Sequence, residues 1–434
     1  MELKKVFSVL ATGVIASALV TGCSSNDKSD ESKNTDKGTS ETALDIKPEE
    51  GAKLVVWDNK DSEKQWAQFV AKQFEEKYGV KVEYQNVDHT KVMAKLEKDG
   101  PAGKGADVVD APHDALGKLV NAGLVMENVF EKEYKDDFMK SAISAVSYKD
   151  KDGETKVYGY PLAIETYALL YNKDLVKKPA GTMAELFTQA KEFTKAKENK
   201  YGLLIEPGNY YFNHSFLGGY GGYVFGDEGT NPKDIGLNTK EAVKAGELMQ
   251  RINKELLPLK KEDLTGDVIG SLFNEGKAMY RITGPWDIEA SKKAGINVGV
   301  APLPKLDNGK MPTSFSGVKG YYVNANSKFP KAASLYAKFA TSKEMLLKRY
   351  EMTNQIPAHN GLLEDEKIKK DEVATAYLEQ AKSAVPMPSI PEMQLVWPAM
   401  ETAFTTIWND KADVKKSLDA GVKQINEAIK IQQK

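Results

Sequence analysis

Three carboxylates and a tryptophan stand just beyond four short apolar runs, and together they could hold a polyhydroxylated ligand. Asp61 follows the run 53–57, Asp114 follows 106–110, Glu165 follows 157–161 and Trp286 follows 278–283. Carboxylates accept strong charge-assisted hydrogen bonds from hydroxyl groups. An aromatic face offers a flat apolar platform to the C–H side of a sugar ring. The pairing points to carbohydrate. A plainer reading exists for each residue, since a lone Asp after a strand is an ordinary helix N-cap. Tyr210, Tyr211 and Phe212 are adjacent and cannot all face one core, so at least one is expected at a surface or a cleft. Trp57, Trp66, Phe69 and Phe74 carry the spacing of core residues, and Trp408 is spaced with Phe404 and Ile407 as packing.

Other chemistries find little support. His89, His113, His214 and His359 are scattered without a metal-binding spacing. No GxSxG elbow is present, and the glycines of 218–222 precede no phosphate loop. A secreted glycoside hydrolase would also use two carboxylates, with Asp114 and Glu165 as the candidate pair. Nothing in the sequence separates an acid from a base, so no catalysis, metal or cofactor is expected. With 60 basic and 62 acidic residues the net charge is −2, which gives no electrostatic reason to expect nucleic acid.

These side chains need a frame. The run 53–57 reads as a buried strand, 61–77 as a helix with Gly79 as its C-cap, 80–84 as an alternating strand and 106–110 as another strand. That rhythm argues for an α/β domain with a largely parallel sheet, in which ligands bind beyond the carboxyl ends of the strands. Helices are expected near 184–197, 240–254 and 268–276, and almost exclusively beyond Pro330.

The N-terminus reads separately. Lys4 and Lys5, an apolar run over 6–20 and Val20-Thr21-Gly22-Cys23 form a secretory signal peptide, and the small residues ending in Cys resemble a bacterial lipobox. Cys23 is the only cysteine, so no internal disulfide is available. From residue 24 to about 51 the chain is polar enough to stay unpacked, and as a coil it would reach about 30 Å. Beyond it lie roughly 380 residues, suited to two domains.

Five segments in order carry a family resemblance: KLVVWDNKD at 53–61, GADVVDAPHDALGKLVNAGLV at 105–125, YPLAIETYALLYNKDL at 160–175, FNEGKAMYRITGPW at 273–286 and MPSIPEMQLVWPAM at 387–400. The chain resembles the extracellular solute-binding proteins of bacterial ABC importers, most closely the maltose/maltodextrin-binding family. The resemblance implies a two-lobed α/β fold of the periplasmic-binding-protein type. Each lobe would be a mainly parallel sheet flanked by helices, with the sugar in the cleft between them. Residues 1–22 would be the leader and 23–51 the lipidated N-terminus and tether. The N-lobe would be 52–163 with 305–340, and the C-lobe 168–300 with 348–434. Crossovers would fall near 163–168, 301–305 and 341–348.

Matched by position, the resemblance implies acidic sugar contacts at Asp61, Asp114 and Glu165, and a polar one at Glu206 or else Asn209. Aromatic contacts would come from Tyr211, Trp286 and Trp397, with Tyr210 beside them. It implies a maltodextrin ligand, importer permease subunits as partners, a lipid anchor on the outer face of a Gram-positive cell membrane, and a monomer. Ala111, Ala115, Ser62 and Glu401 depart from the family's Trp, Arg, Lys and Arg. Those losses would widen one end of the cleft and favour maltotriose and longer chains over maltose.

Overall fold

The structure is a computed structural model that describes residues 46–149 and 153–432. The leader, Cys23 and most of the expected tether lie outside the described residues. In chain order the strands of its two larger sheets are β1 (Lys53–Asp58), β2 (Lys81–Asn86), β3 (Val108–Pro112), β4 (Tyr160–Glu165), β5 (Ala168–Asn172), β6 (Tyr201–Leu204), β7 (Ala278–Thr283), β8 (Val298–Ala301), β9 (Phe315–Val323), β10 (Ile356–Pro357) and β11 (Val385–Pro386). The helices that bear on the site are α1 (Asp61–Tyr78), α2 (Tyr210–Tyr220), α3 (Gly266–Asn274), α4 (Lys343–Thr353) and α5 (Met393–Asp410).

One sheet runs β10-β4-β9-β3-β1-β2, with β11 beside β9; the other runs β8-β5-β7-β6. Each has its own apolar core, which makes two lobes. The expectation of mainly parallel sheets is corrected. β1 pairs in parallel with β2 and β3, but β9 runs antiparallel to β3 and β4. In the second sheet only β6 and β7 are parallel. The physical reason is the crossing chain: β9 returns from the other lobe and enters the first sheet from the opposite end.

Local chemistry accounts for the elements around the first lobe. Trp66, Val70 and Phe74 put one face of α1 in the core, and Gly79 ends the helix at φ 70°, where a side chain would be strained. Trp57 and Trp66 are fully buried, Phe69 packs partly, and Trp408 is buried with its indole N–H on the Leu259 carbonyl at 2.9 Å. All four are packing residues, as their spacing suggested.

The lobe limits differ from the expected ones at three places. Ile46 packs on the first core, and Glu49 accepts from the Lys331 and Ala332 amides at 2.8 and 2.9 Å, capping the helix Pro330–Ala340. The packed chain therefore starts before residue 51. Residues 305–314 stay with the second lobe: Leu306 lies in its core, and the Thr313 amide donates to the Ser215 carbonyl at 2.9 Å. The crossover expected at 341–348 is instead the start of α4, whose Met345, Leu346 and Tyr350 fill the first core. The chain leaves that lobe later, through the helix Glu372–Ala381, which packs Ala374 and Leu378 on the first core and Val373 and Tyr377 on the second. Between β4 and β5 the chain passes from one sheet to the other. Among the described residues no helix is long and apolar enough to cross a membrane.

Candidate functional site

Asp61 opens α1 directly after β1. It is exposed and holds φ 61°, a left-handed conformation that Asp tolerates better than most residues. Lys60 occupies the N-cap position and no side chain caps the helix, so the plain N-cap reading of Asp61 does not hold. Asp114 sits in the short 3-10 turn His113–Ala115 past β3, only 5 % exposed. Its Oδ2 accepts from Trp397 Nε1 at 3.1 Å and Gln394 Nε2 at 3.0 Å, and Gln394 also donates to its carbonyl at 2.9 Å. Both donors lie on α5 of the other lobe, one helical turn apart.

His113, beside it, is pinned by its two ring nitrogens. Nδ1 accepts from the Val318 amide at 3.0 Å, so the proton must be on Nε2, which donates to the Met387 carbonyl at 2.9 Å. Burial lowers the pKa of this imidazole, which keeps it neutral in that role.

Glu165 ends β4, half-buried. Its Oε1 accepts from Gln355 Nε2 at 2.9 Å. Burial raises its pKa, against the pull of Lys319. Burial and then the Glu165 carboxylate push up the Tyr211 hydroxyl. Tyr211 is the half-buried member of its trio, packed on Tyr167 with ring centroids 4.9 Å apart. Tyr210 is corrected: it is 2 % exposed, its hydroxyl bonds His214 Nδ1 at 2.9 Å, and its ring lies 6.0 Å behind Trp397. It backs the cleft wall and does not line it, because α2 is buried on nearly every side.

Trp286 lies in the 3-10 turn Pro285–Asp287 after β7. Its ring folds over Gly284, where a Cβ would come within 2.1 Å of Cη2 and Cζ3. Asp287 next to it accepts from Arg281 Nη2 at 2.7 Å and Thr283 Oγ1 at 2.5 Å, which fixes the turn. Glu206 follows β6, half-buried, with its carboxylate beside Gly266 at the start of α3, and accepts from Asn209 Nδ2 at 3.1 Å. Burial raises its pKa. Asn209 itself spends its Oδ1 capping α2 through the Tyr211 amide. At the rim Lys60 of the first lobe reaches Asp267 of the second at 3.7 Å, which places the Asp61 turn opposite the Glu206 end of the cleft.

The frame thus brings Asp114, Glu165, Tyr211 and Trp397 together, with Asp61, Glu206 and Trp286 at the strand ends of the two lobes. The widened end expected from Ala111 and Ala115 is corrected. They are 0 % and 6 % exposed, and the segment 387–397 covers that turn, with the Gly117 amide on the Ser389 carbonyl at 3.1 Å. Glu401 pairs with Lys261 at 2.8 Å within its own lobe.

Sequence reasoning missed the polar layer under Glu165. Lys319 on β9 pairs with Glu63 and, at 3.0 Å, with Asp110; Arg349 on α4 reaches Glu63 at 3.1 Å. Gln355 donates to Glu63 at 2.8 Å as well as to Glu165. Burial alone would raise the Glu63 pKa, but Lys319 and Arg349 hold it at about 2. The one signal was Lys319 inside the apolar strand FSGVKGYYV. Among the described residues no cluster of His, Cys, Asp and Glu could hold a metal.

Comparison with known proteins gives this geometry its family. Residues 70–376 match the family described as bacterial extracellular solute-binding protein. The chain belongs to that family. A galactooligosaccharide-binding protein of Bacillus subtilis is 38 % identical over 400 residues, covering 91 % of this chain and 93 % of its own. A maltodextrin-binding protein of the same organism is 33 % identical over 434 residues, covering 99 % and 98 %. A crystal structure of a cyclo/maltodextrin-binding protein with maltotetraose is 41 % identical, with a TM-score of 0.73 over 87 % of this chain and 97 % of that one.

Proposed function

We propose that this protein binds linear α-1,4-glucans outside the cell and hands them to a membrane ABC importer by closing its two lobes on the sugar. The observation that carries the reading is the contact of Asp114 with Trp397 and Gln394 across the cleft. A ligand can shift an open–closed equilibrium only through its preference for one state. Carboxylates on one wall and indoles on the other supply that preference, since a sugar touches both only when the lobes meet. Asp61, Asp114, Glu165 and Glu206 would take hydroxyls, and Tyr211, Trp286 and Trp397 would stack on ring faces. Cys23 would be the lipidated residue that keeps the protein, as a monomer, on the outer face of a Gram-positive membrane beside its permease. The role is binding without catalysis.

A second reading has its own support. The relative from Bacillus subtilis at 38 % identity is a galactooligosaccharide-binding protein, so galacto-oligosaccharides compete with α-glucans for the assignment. Calorimetric titration decides between them. Glucose through maltoheptaose, β-1,4-galacto-oligosaccharides, cellobiose and xylo-oligosaccharides are the panel. Maltotriose binding at least tenfold tighter than every β-linked sugar is the expected result. Preference for a galactoside overturns the glucan assignment, and absence of heat with all of them overturns the sugar-binding reading.

A further inference from the structure

Glu165 differs from the other cleft carboxylates in being wired to buried charge beneath it, through one neutral side chain. Gln355 is 1 % exposed. Its Nε2 stands 2.8 Å from Glu63 Oε1 and 2.9 Å from Glu165 Oε1, so each of its two amide hydrogens serves a carboxylate. The backbone holds it there from both sides. Asn354 caps α4 with φ 57°, the Gln355 amide donates to Thr353 Oγ1 at 3.2 Å, and Ile356 and Pro357 pair with Ile164 and Ala163 beside Glu165.

We propose that Gln355 is a positioning residue for the ligand: it turns one oxygen of Glu165 away from the cleft, keeps the carboxylate ionised and presents the other oxygen to a sugar hydroxyl. The proposal rests on the sugar-binding reading of the cleft. Among the described residues no donor reaches Glu165 Oε2, which leaves that oxygen for an incoming O–H. The charged and titratable groups facing Glu165 are Glu63 on α1, Lys319 on β9, Arg349 on α4 and Tyr211 on α2. Lys319 and Arg349 are already engaged by Glu63 and Asp110. Two carboxylates this close repel, and each pushes the other toward protonation. A neutral amide that donates to both lets them stay charged without adding a third cation. Glutamine has the reach and, on one nitrogen, two diverging donors for it.

The test is the pH dependence of maltotriose affinity between pH 4 and 8. An ionised Glu165 accepts a stronger, charge-assisted hydrogen bond from the sugar than a protonated one, so affinity falls as pH drops through its raised pKa. Gln355→Met keeps the side-chain length and removes both donors. It should weaken binding at pH 7 about tenfold, the loss of a hydrogen bond to a charged group, and move the acid limb to higher pH. In a Glu165→Gln background the Glu165 part of the limb should vanish, leaving the part due to Glu206, and Gln355→Met should neither weaken binding further nor move what remains. Gln355→Asn keeps the amide but cannot span both carboxylates, and should show the same displaced limb if the Met variant does not fold. An unmoved limb in a folded variant overturns the proposal, as does an equal further loss in the Glu165→Gln background. If the wild-type protein binds none of the sugars, the function has failed; if it binds with an unmoved limb, only the positioning role has.

Discussion

Gly284→Ala should cut sugar affinity while sparing the fold. Gly284 has φ −94° and ψ −177°, an ordinary extended conformation that alanine adopts without strain. The conflict is steric and confined to one neighbour. The new Cβ would meet Trp286 Cη2 and Cζ3 at 2.1 Å and Cε3 at 2.5 Å, where ordinary contact begins at 3.4 Å. The ring must retreat by more than 1 Å, while Arg281 and Thr283 hold Asp287 and keep the turn in place. Truncating a buried aromatic anchor commonly costs about 2 kcal/mol or more, roughly thirtyfold. Displacing the ring keeps part of its contact, so a loss of about 10- to 30-fold in maltotriose affinity is expected. Stability should barely change, because Gly→Ala at a compatible backbone adds about 0.4–1 kcal/mol, which offsets local repacking. Calorimetry gives the affinity, indole fluorescence the ring's displacement, and thermal melting of the unliganded protein the control. A shifted fluorescence with unaltered affinity would refute the stacking role of Trp286.

Trp397→Ala should weaken binding by about thirtyfold or more, and Trp397→Phe should lose only the part carried by the indole N–H, leaving a smaller deficit in the same calorimetric series. Equal losses in the two variants would show that the ring face contributes nothing. Lys319→Met should destabilise the fold by about 3–5 kcal/mol at pH 7, since it leaves Asp110 buried without a cation and Glu63 with Arg349 alone. Glu63 has a folded pKa of about 2, below its ordinary value of 4.5, so its stabilisation is complete above about pH 4.5 and is lost as pH falls toward 2. The deficit of Lys319→Met in denaturant melts should therefore shrink over that interval. Cys23→Ala should release the protein from membranes or leave it as precursor, by fractionation and intact mass; a variant processed at the same site and equally membrane-bound would contradict the anchor, which needs two or more chains to be stable.

What was legible in the sequence was local. Asp61, Asp114, Glu165 and Trp286 could be placed because each follows an apolar run directly, and a strand end fixes a residue's position without long-range information. Gly79 marked the end of α1 for the same reason. Tyr211 could be singled out only as one of three, since its burial depends on how α2 is enclosed. Lys319, Arg349 and Gln355 were out of reach because their partner Glu63 lies 256, 286 and 292 residues away in sequence. The same distance effect moved the last lobe boundary. The buried side of α4 carries Arg349 among Met345, Leu346 and Tyr350, and an arginine facing a core makes sense only once Glu63 is opposite it. Ala111 and Ala115 suggested empty space, yet a small residue leaves room for protein as readily as for ligand, and here the segment 387–397 takes it.

The diffraction structure of the protein crystallised with maltotriose tests the central claim most directly. The account predicts one sugar chain between the lobes, with ring faces on Trp286 and Trp397 and hydroxyls within hydrogen-bond distance of Asp114 and Glu165 Oε2. A sugar held by one lobe alone, or with Asp114 still bonded only to Trp397 and Gln394 as it is without ligand, would contradict it.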